Sequence, residues 1–197
     1  MQTMMTADYA LTLWNAARSH LDLFGMLGLS LGFAAGMMPR RFWILLTSAA
    51  CSACFGLHYL YLGAQTGMAM CAIAVLQSLV SARFIGPASR AGWVAPLFVT
   101  SSLVAACLTL ATWEGWASAC AGAGTLLATA ARLQAGSQTM RRLFLCASSF
   151  WAGHNLIVGS VFGLTCDLLT ISGLTIAFLR ARERRAGAAA PDAALSL

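Results

Sequence analysis

The sequence predicts an all-α, polytopic membrane protein with seven transmembrane helices, arranged as two parallel three-helix repeats joined by a linker helix. Three observations lead to this prediction: the apolar composition, seven hydrophobic runs with arginine on alternate loops, and an internal duplication. Of the 197 residues, 59% are hydrophobic and 9% are charged, and the mean hydropathy is +0.76. A soluble protein of this size needs more charge on its surface, so the composition excludes that class.

The basic charge of the chain is a topology signal. A net charge of +6 would suggest nucleic-acid binding in a soluble protein, but all twelve basic residues here are arginines and most flank hydrophobic runs. We therefore expect no nucleic-acid partner. Cys51 and Cys54 have the C-x-x-C spacing of redox motifs. Inside a membrane helix, however, a role as small packing residues fits them better.

Seven apolar runs are each long enough for a helix to cross a hydrocarbon core of about 30 Å. They lie at residues 20–38, 42–62, 66–84, 92–112, 116–134, 142–159 and 162–180. Residues 1–19 precede them and are predicted to form an amphipathic lead-in at the membrane surface. Residues 181–197 are rich in alanine and are predicted to form a disordered cytoplasmic tail.

The arginines give an independent indication of topology. Eleven of the twelve lie on alternate loops or in the tail, whereas the remaining loops hold no basic residue. These eleven are Arg40, Arg41, Arg83, Arg90, Arg132, Arg141, Arg142, Arg180, Arg182, Arg184 and Arg185. The positive-inside rule then predicts an N-terminus outside the cell, a C-terminus in the cytoplasm and an odd number of spans. Seven spans satisfy this requirement.

The segments 52–83 and 148–179 are two copies of one pattern. A shift of 96 residues places His58 on His154, Gly63 on Gly159 and Gly67 on Gly163. We interpret this as an internal repeat with three-helix bundles at 20–84 and 116–180. Residues 85–115 form the linker region with the fourth span. Because three spans reverse the side of the chain, this odd helix makes the two bundles parallel.

Two segments resemble the YgjV-type bacterial inner membrane proteins. The similarity covers roughly residues 40 to 180, and its most distinctive part is His154-Asn155 followed by Gly159-Ser160. Further matching features are Arg40-Arg41, His58 with Gly63, Leu79-Val80-Ser81 before Arg83, and Thr139-Met140-Arg141. The resemblance implies a bacterial inner-membrane location and a multi-pass chain.

The 3+1+3 layout is also similar to that of the SWEET and PQ-loop transporters. This similarity implies a central pocket between two bundles, through which a small solute would move by alternating access. The chain departs from both groups. It lacks the Pro-Gln pairs of PQ-loop proteins, and Ala74 and Gln77 stand where the YgjV-type family would have an asparagine and a basic residue.

Five polar residues in the predicted spans are candidates for substrate binding or gating. His58 and His154 lie near the outer ends of the second and sixth spans, and repeat symmetry would make them face each other. Asn155 and Asp167 are close enough in the sequence pattern to share a site with His154, with a proton exchanged between His154 and Asp167. Interhelical hydrogen bonds that tie the bundle together are the alternative. His58 has no acidic partner in its own repeat, which favours a structural role.

Gln77 is the fifth candidate, because it lies near the middle of the third span. Its repeat equivalent, Gly173, would open space opposite it, although an interhelical tie is equally consistent. Met68, Met70 and Cys71 with His58 could bind a soft metal such as copper, but these residues are also ordinary in a membrane core. We predict no cofactor, no dedicated metal site and no catalytic residue, since no enzyme motif is present.

The sequence thus favours a carrier for a small polar solute, with Gln77, Asn155 and Asp167 lining its pocket and His58 and His154 toward the outer mouth. A receptor or assembly factor that binds a ligand or protein without transport is the alternative, since fold does not fix function. A soft-metal-handling protein ranks third. The expected partners are a small solute and the lipid bilayer, and self-association stays open.

Overall fold

The computed structural model describes residues 22–38, 40–86 and 91–194. Within these ranges the chain forms seven α-helices and no strand, which confirms the all-helical prediction. The helices are α1 (Leu23–Met37), α2 (Arg41–Tyr61), α3 (Gln65–Phe84), α4 (Val94–Ala111), α5 (Trp116–Arg132), α6 (Ser137–Val158) and α7 (Val161–Ala194). Each overlaps one predicted span.

The helix ends follow from local sequence. Gly63 and Gly159 have φ values of +72° and +74°, and they form the turns after α2 and α6. Glycine adopts this left-handed conformation without a Cβ clash, so the chain can reverse in few residues. The helix α7 continues beyond the predicted end of its span at residue 180, and the prediction of a disordered tail stays a prediction. The predicted lead-in at 1–19 lies outside the described residues.

Three of the described helices are long and apolar enough to cross a membrane by length and composition: α2, α3 and α4. The helix α1 and the segment Val161–Ile176 of α7 are apolar but shorter. At 1.5 Å per residue, the 15 residues of α1 extend only about 23 Å. The helices α5 and α6 are less hydropathic, because α5 is rich in alanine, glycine and threonine and α6 begins with a polar turn.

Helix packing produces a closed ring of six helices. The helix α2 packs between α1 and α3, and α6 packs between α5 and α7. Contacts of α1 with α7 and of α3 with α5 close the ring. The helix α4 packs against α3 and α5. It therefore lies outside the ring.

Glycines allow close helix contact at corresponding places in the two halves. A Cβ atom on Gly28 of α1 would lie 3.0 Å from the Phe55 ring of α2. A Cβ atom on Gly124 of α5 would lie 2.8 Å from the Trp151 ring of α6. The second glycine and the second aromatic residue each follow their counterparts in the first pair by 96 residues. A bulky aromatic residue thus packs against a bare backbone in each half.

Arg41 joins three helices at the predicted cytoplasmic side. Its guanidinium donates hydrogen bonds to the carbonyls of Ser81 and Ile85 at the end of α3, at 3.1 and 2.8 Å. It also donates to the carbonyls of Arg132 and Gln134 at the end of α5, at 3.1 and 3.2 Å. The last carbonyls of a helix have no intrahelical donor and carry partial negative charge. One cation therefore caps two helix C-termini.

Candidate functional site: a central cavity

A cavity of about 400 Å³ lies at the centre of the six-helix ring. Residues of α1, α2, α3, α5, α6 and α7 line it, and α4 contributes none. The volume lies within the range of small-molecule sites, which are mostly apolar with a few placed polar groups. This wall has the same character, with Phe55, Phe144 and Trp151 among its aromatic side chains.

Most residues that line the cavity fall into pairs separated by 96 positions in the chain. Such pairs occur on each of the three corresponding helix pairs: α1 with α5, α2 with α6, and α3 with α7. The central pairs are Ser52 with Ser148, Phe55 with Trp151, Tyr59 with Asn155, Cys71 with Asp167, and Gly36 with Arg132. The cavity wall is thus built from equivalent positions of the two halves.

A chain of hydrogen bonds crosses the wall from one half to the other. The Tyr59 hydroxyl of α2 donates to Asn155 Oδ1 of α6 at 2.7 Å. The Asn155 amide then donates to Asp167 Oδ2 of α7 at 2.8 Å. The amide of Asn155 is oriented by both partners, since its oxygen must accept and its nitrogen must donate. Asn155 and Asp167, both predicted site residues, therefore lie together on the cavity wall.

Arg132 brings a buried positive charge to the same cavity. It lines the wall at the end of α5 and is 5% exposed. Its Nε donates to Ser78 Oγ at 2.8 Å, and its Nη1 lies 3.4 Å from Gln77 Oε1. The positive-inside pattern counted Arg132 among the residues that flank the loop after the fifth span, and Arg132 is indeed the last residue of α5. The burial of its side chain inside the ring was not predicted.

His58 has an acidic partner, contrary to the sequence analysis. Its Nδ1 pairs with the carboxylate of Asp22, and its Nε2 is hydrogen-bonded to Ser160 Oγ at 2.9 Å. Asp22 is the N-cap of α1 and also accepts a hydrogen bond from the Gly25 backbone N–H at 2.6 Å. His58 thereby connects α2 to α1 in its own half and to the start of α7 in the other half.

His154 occupies the corresponding place in the second half with fewer partners. Its Nδ1–H donates to the carbonyl of Ala117 at 2.9 Å, and its Nε2 has no hydrogen-bond partner among the described residues. No hydrogen bond joins His154 to Asp167 among the described residues, so the predicted proton exchange has no direct route; Asp167 is hydrogen-bonded to Asn155 instead. Both histidine rings lie beside Tyr59, with ring centroids 5.6 and 5.3 Å from its ring.

Gln77 lies outside the cavity, although the sequence analysis expected it in the pocket. Its side chain is fully buried; Nε2 donates to Ser101 Oγ of α4 at 2.8 Å, and Oε1 accepts from Thr129 Oγ1 of α5 at 2.9 Å. The face of α3 that carries Gln77 points at α4 and α5. Gly173, its repeat equivalent, does line the cavity. Gln77 therefore links α3 to α4 and α5 by hydrogen bonds, as in the interhelical alternative.

The four residues considered for a soft metal do not converge. Both ring nitrogens of His58 are engaged, while Met70 packs with Ile73, Ala105 and Ala121. Cys71 and Met68 belong to a different apolar cluster, around Phe55 and Tyr59. Within the described ranges, no group of three or more His, Cys, Asp or Glu side chains is arranged to hold a metal ion.

Comparison with known proteins agrees with the membrane character of the chain. A family model described as a bacterial inner membrane protein, Imp-YgjV, matches residues 20–185. No curated protein and no solved structure matches the chain. The match includes five helices of the ring in full, α7 as far as residue 185, and all residues that line the cavity. This apolar, all-helical chain therefore belongs to the Imp-YgjV family of bacterial inner membrane proteins.

Proposed function

We propose that the protein is an inner-membrane carrier that moves a small polar solute through the central cavity by alternating access. In this proposal all seven helices span the membrane, α1–α3 and α5–α7 are two parallel repeats, and α4 is the linker between them. The N-terminus is outside and the C-terminus is cytoplasmic. The protein acts without catalytic residues, and one chain suffices because the ring closes within it.

Exposed apolar side chains support the seven spans. Each of the seven helices carries large hydrophobic residues that point away from the ring, including those that are short or less hydropathic. Leu23 of α1 is 65% exposed, Trp116 of α5 is 80% exposed and Leu156 of α6 is 69% exposed. In water these side chains would form extended exposed apolar patches, whereas in a bilayer the lipid tails solvate them. The proposal therefore places α1, α5 and α6 in the bilayer with α2, α3 and α4.

The position of the cavity carries the carrier proposal. It is lined mainly by equivalent positions of two three-helix units, while the linker α4 makes no contribution to its wall. In carriers built from repeats, the solute lies at the repeat interface, and one unit rocks against the other to expose it to either side. A helix bundle with only a structural role does not require a solute-sized cavity between its two repeats.

Flux into sealed proteoliposomes tests the proposal. Uptake of labelled sugars, amino acids and nucleosides would be compared for the unmodified protein, Ser148→Trp and Ser149→Trp. Ser148 lines the cavity, whereas its neighbour Ser149 is exposed on the outer face of α6. The indole side chain of Ser148→Trp should fill the cavity and abolish uptake. Ser149→Trp places the same side chain on the lipid face and should leave uptake intact.

Two results would contradict the carrier proposal. The first is saturable binding of a solute that never enters the vesicles, which would favour a receptor or assembly factor. The second is uptake that survives Ser148→Trp unchanged, because the solute would then pass by another route. Both protein variants need to elute as the unmodified protein does in detergent before the comparison is made.

A further inference from the structure

Two opposite charges on the cavity wall lack a countercharge within the described residues. Arg132 makes hydrogen bonds with Ser78 and Gln77, but both are neutral, and no carboxylate lies within 4 Å of its guanidinium. Its Nη2 makes no hydrogen bond in that part of the chain. A buried charge without a countercharge is costly, and a guanidinium presents a planar fork that fits a carboxylate. This end of the cavity is therefore suited to a carboxylate ligand.

Asp167 presents the complementary charge on α7. Its hydrogen-bond donors are neutral, the Asn155 amide and the Ser148 hydroxyl, and it has no cationic partner among the described side chains. A carboxylate held in this way attracts a cation or a strong hydrogen-bond donor. Asp167 and Arg132 lie on different helices and both line the same cavity. Their charges can be satisfied together by one molecule that carries both signs.

We propose that the cavity binds a small zwitterion, an α-amino acid or a similar amino carboxylate. The carboxylate of the ligand lies against Arg132, and its ammonium group lies against Asp167. This inference rests on the proposed carrier function and names the class of its solute. A simple carboxylate would leave Asp167 without a partner, and a simple amine would leave Arg132 without one. A zwitterion compensates both charges and adds no net charge to the cavity.

The remaining wall indicates an apolar side chain on the ligand. Phe55, Trp151 and Phe144 line the space, together with Cys51 and Cys166. Arg141 also lines the cavity, is part-exposed, and adds a second positive group that would attract the carboxylate. An apolar amino acid therefore matches the wall better than one with a charged side chain.

A matched set of three ligands tests the charge requirement. The unmodified protein in detergent would first be screened by thermal unfolding against alanine, valine, leucine, methionine and phenylalanine. Binding would then be measured for leucine, for 4-methylpentanoate, which lacks the amine, and for 3-methylbutylamine, which lacks the carboxylate. We expect leucine to bind at least tenfold more tightly than either analogue. Equal affinity for leucine and 4-methylpentanoate would overturn the proposal.

Two variants separate the roles of the charges. Arg132→Gln should weaken binding of leucine and of the carboxylate analogue at least tenfold. Asp167→Asn should weaken binding of leucine alone and leave the analogue unchanged. The matched control is Arg142→Gln, because Arg142 is exposed and does not line the cavity. Asp167→Asn keeps the shape of the side chain and an oxygen for Asn155. It therefore tests the proposal even if Arg132→Gln fails to fold.

The outcomes distinguish this inference from the carrier proposal. Amino-acid binding that depends on Asp167, without uptake into proteoliposomes, would support the zwitterion site and contradict the carrier. Uptake of a different solute that Ser148→Trp abolishes, with no amino acid bound in the screen, would support the carrier and overturn the zwitterion site. Unchanged leucine affinity in Asp167→Asn would likewise overturn it.

Discussion

The two halves of the ring build one cavity wall from different side chains. Where the first half has Cys71 and Gly36, the second half has Asp167 and Arg132. One aromatic position agrees in character, since Phe55 corresponds to Trp151. Equivalent backbone positions therefore form a common shell, and substitution at a few of them concentrates charge in the second half. A duplicated architecture can in this way hold an asymmetric, polar site.

The histidines show the same contrast outside the charged positions. His58 is held by Asp22 and Ser160, whereas His154 has only the Ala117 carbonyl among the described residues. The difference traces to two positions, because Ser160 in the second half corresponds to Ala64 in the first, and Asp22 corresponds to Ser118, which is hydrogen-bonded to Thr66 and Thr112 instead. Ser160 and Ala64 each precede a helix; Ser160 contacts His58 of the opposite half, and Gly67, three residues after Ala64, lies beside His154.

The largest effect is expected from Arg41→Gln. The change removes the donors that cap the C-termini of α3 and α5 and leaves the carbonyls of Ile85 and Gln134 without a partner among the described residues. We expect a loss of about 3 kcal/mol in the free energy of unfolding. Unfolding in denaturing detergent mixtures would measure it. Arg40→Gln is the control, because Arg40 is exposed and makes no capping hydrogen bond; equal losses in the two variants would contradict the capping role.

A smaller loss is expected from Ser160→Ala. The hydroxyl of Ser160 accepts from the Gly163 backbone N–H at 3.1 Å, which caps α7, and it is hydrogen-bonded to His58. Removing an N-cap oxygen costs about 1 kcal/mol, and a buried histidine without its partner adds a similar amount. The sum of about 2 kcal/mol would appear as a lower melting temperature. A melting temperature equal to that of the unmodified protein would show that neither hydrogen bond contributes.

A stabilisation is expected from the reciprocal change, Ala64→Ser. Ala64 is the N-cap of α3 and makes no side-chain cap, and a Cβ atom on Gly67 would lie 2.7 Å from His154 Nε2. A serine hydroxyl here should cap α3 and provide the partner that His154 lacks, with a gain of about 1 kcal/mol. In a His154→Phe background, the gain should fall to its capping part. A destabilised Ala64→Ser variant would contradict the equivalence of the two positions.

The sequence was sufficient for the helices, because apolar runs and turn glycines such as Gly63 and Gly159 act locally. It also drew attention to Asn155 and Asp167, whose polarity stands out in a membrane span and which line the cavity. Which neighbour a given helix face packs against depends on the tertiary structure and cannot be read from the local sequence. Gln77 was expected in the cavity but faces α4 and α5. Nothing in the sequence indicated that the side chain of Arg132, at the end of α5, would be buried. Asp22 could have been recognised as an N-cap, yet its contact with His58 depends on how α1 packs against α2.

Access to the cavity from the two sides of the membrane tests the carrier account most directly. A small, charged, membrane-impermeant thiol reagent would be added to sealed vesicles of either orientation, with labelling at each cysteine followed by mass spectrometry. Cys51 lines the cavity, whereas Cys146 is exposed on the outer face of α6. The account predicts that Cys51 is labelled from both sides and that Cys146 is protected by lipid. Labelling of Cys51 from one side only would contradict alternating access.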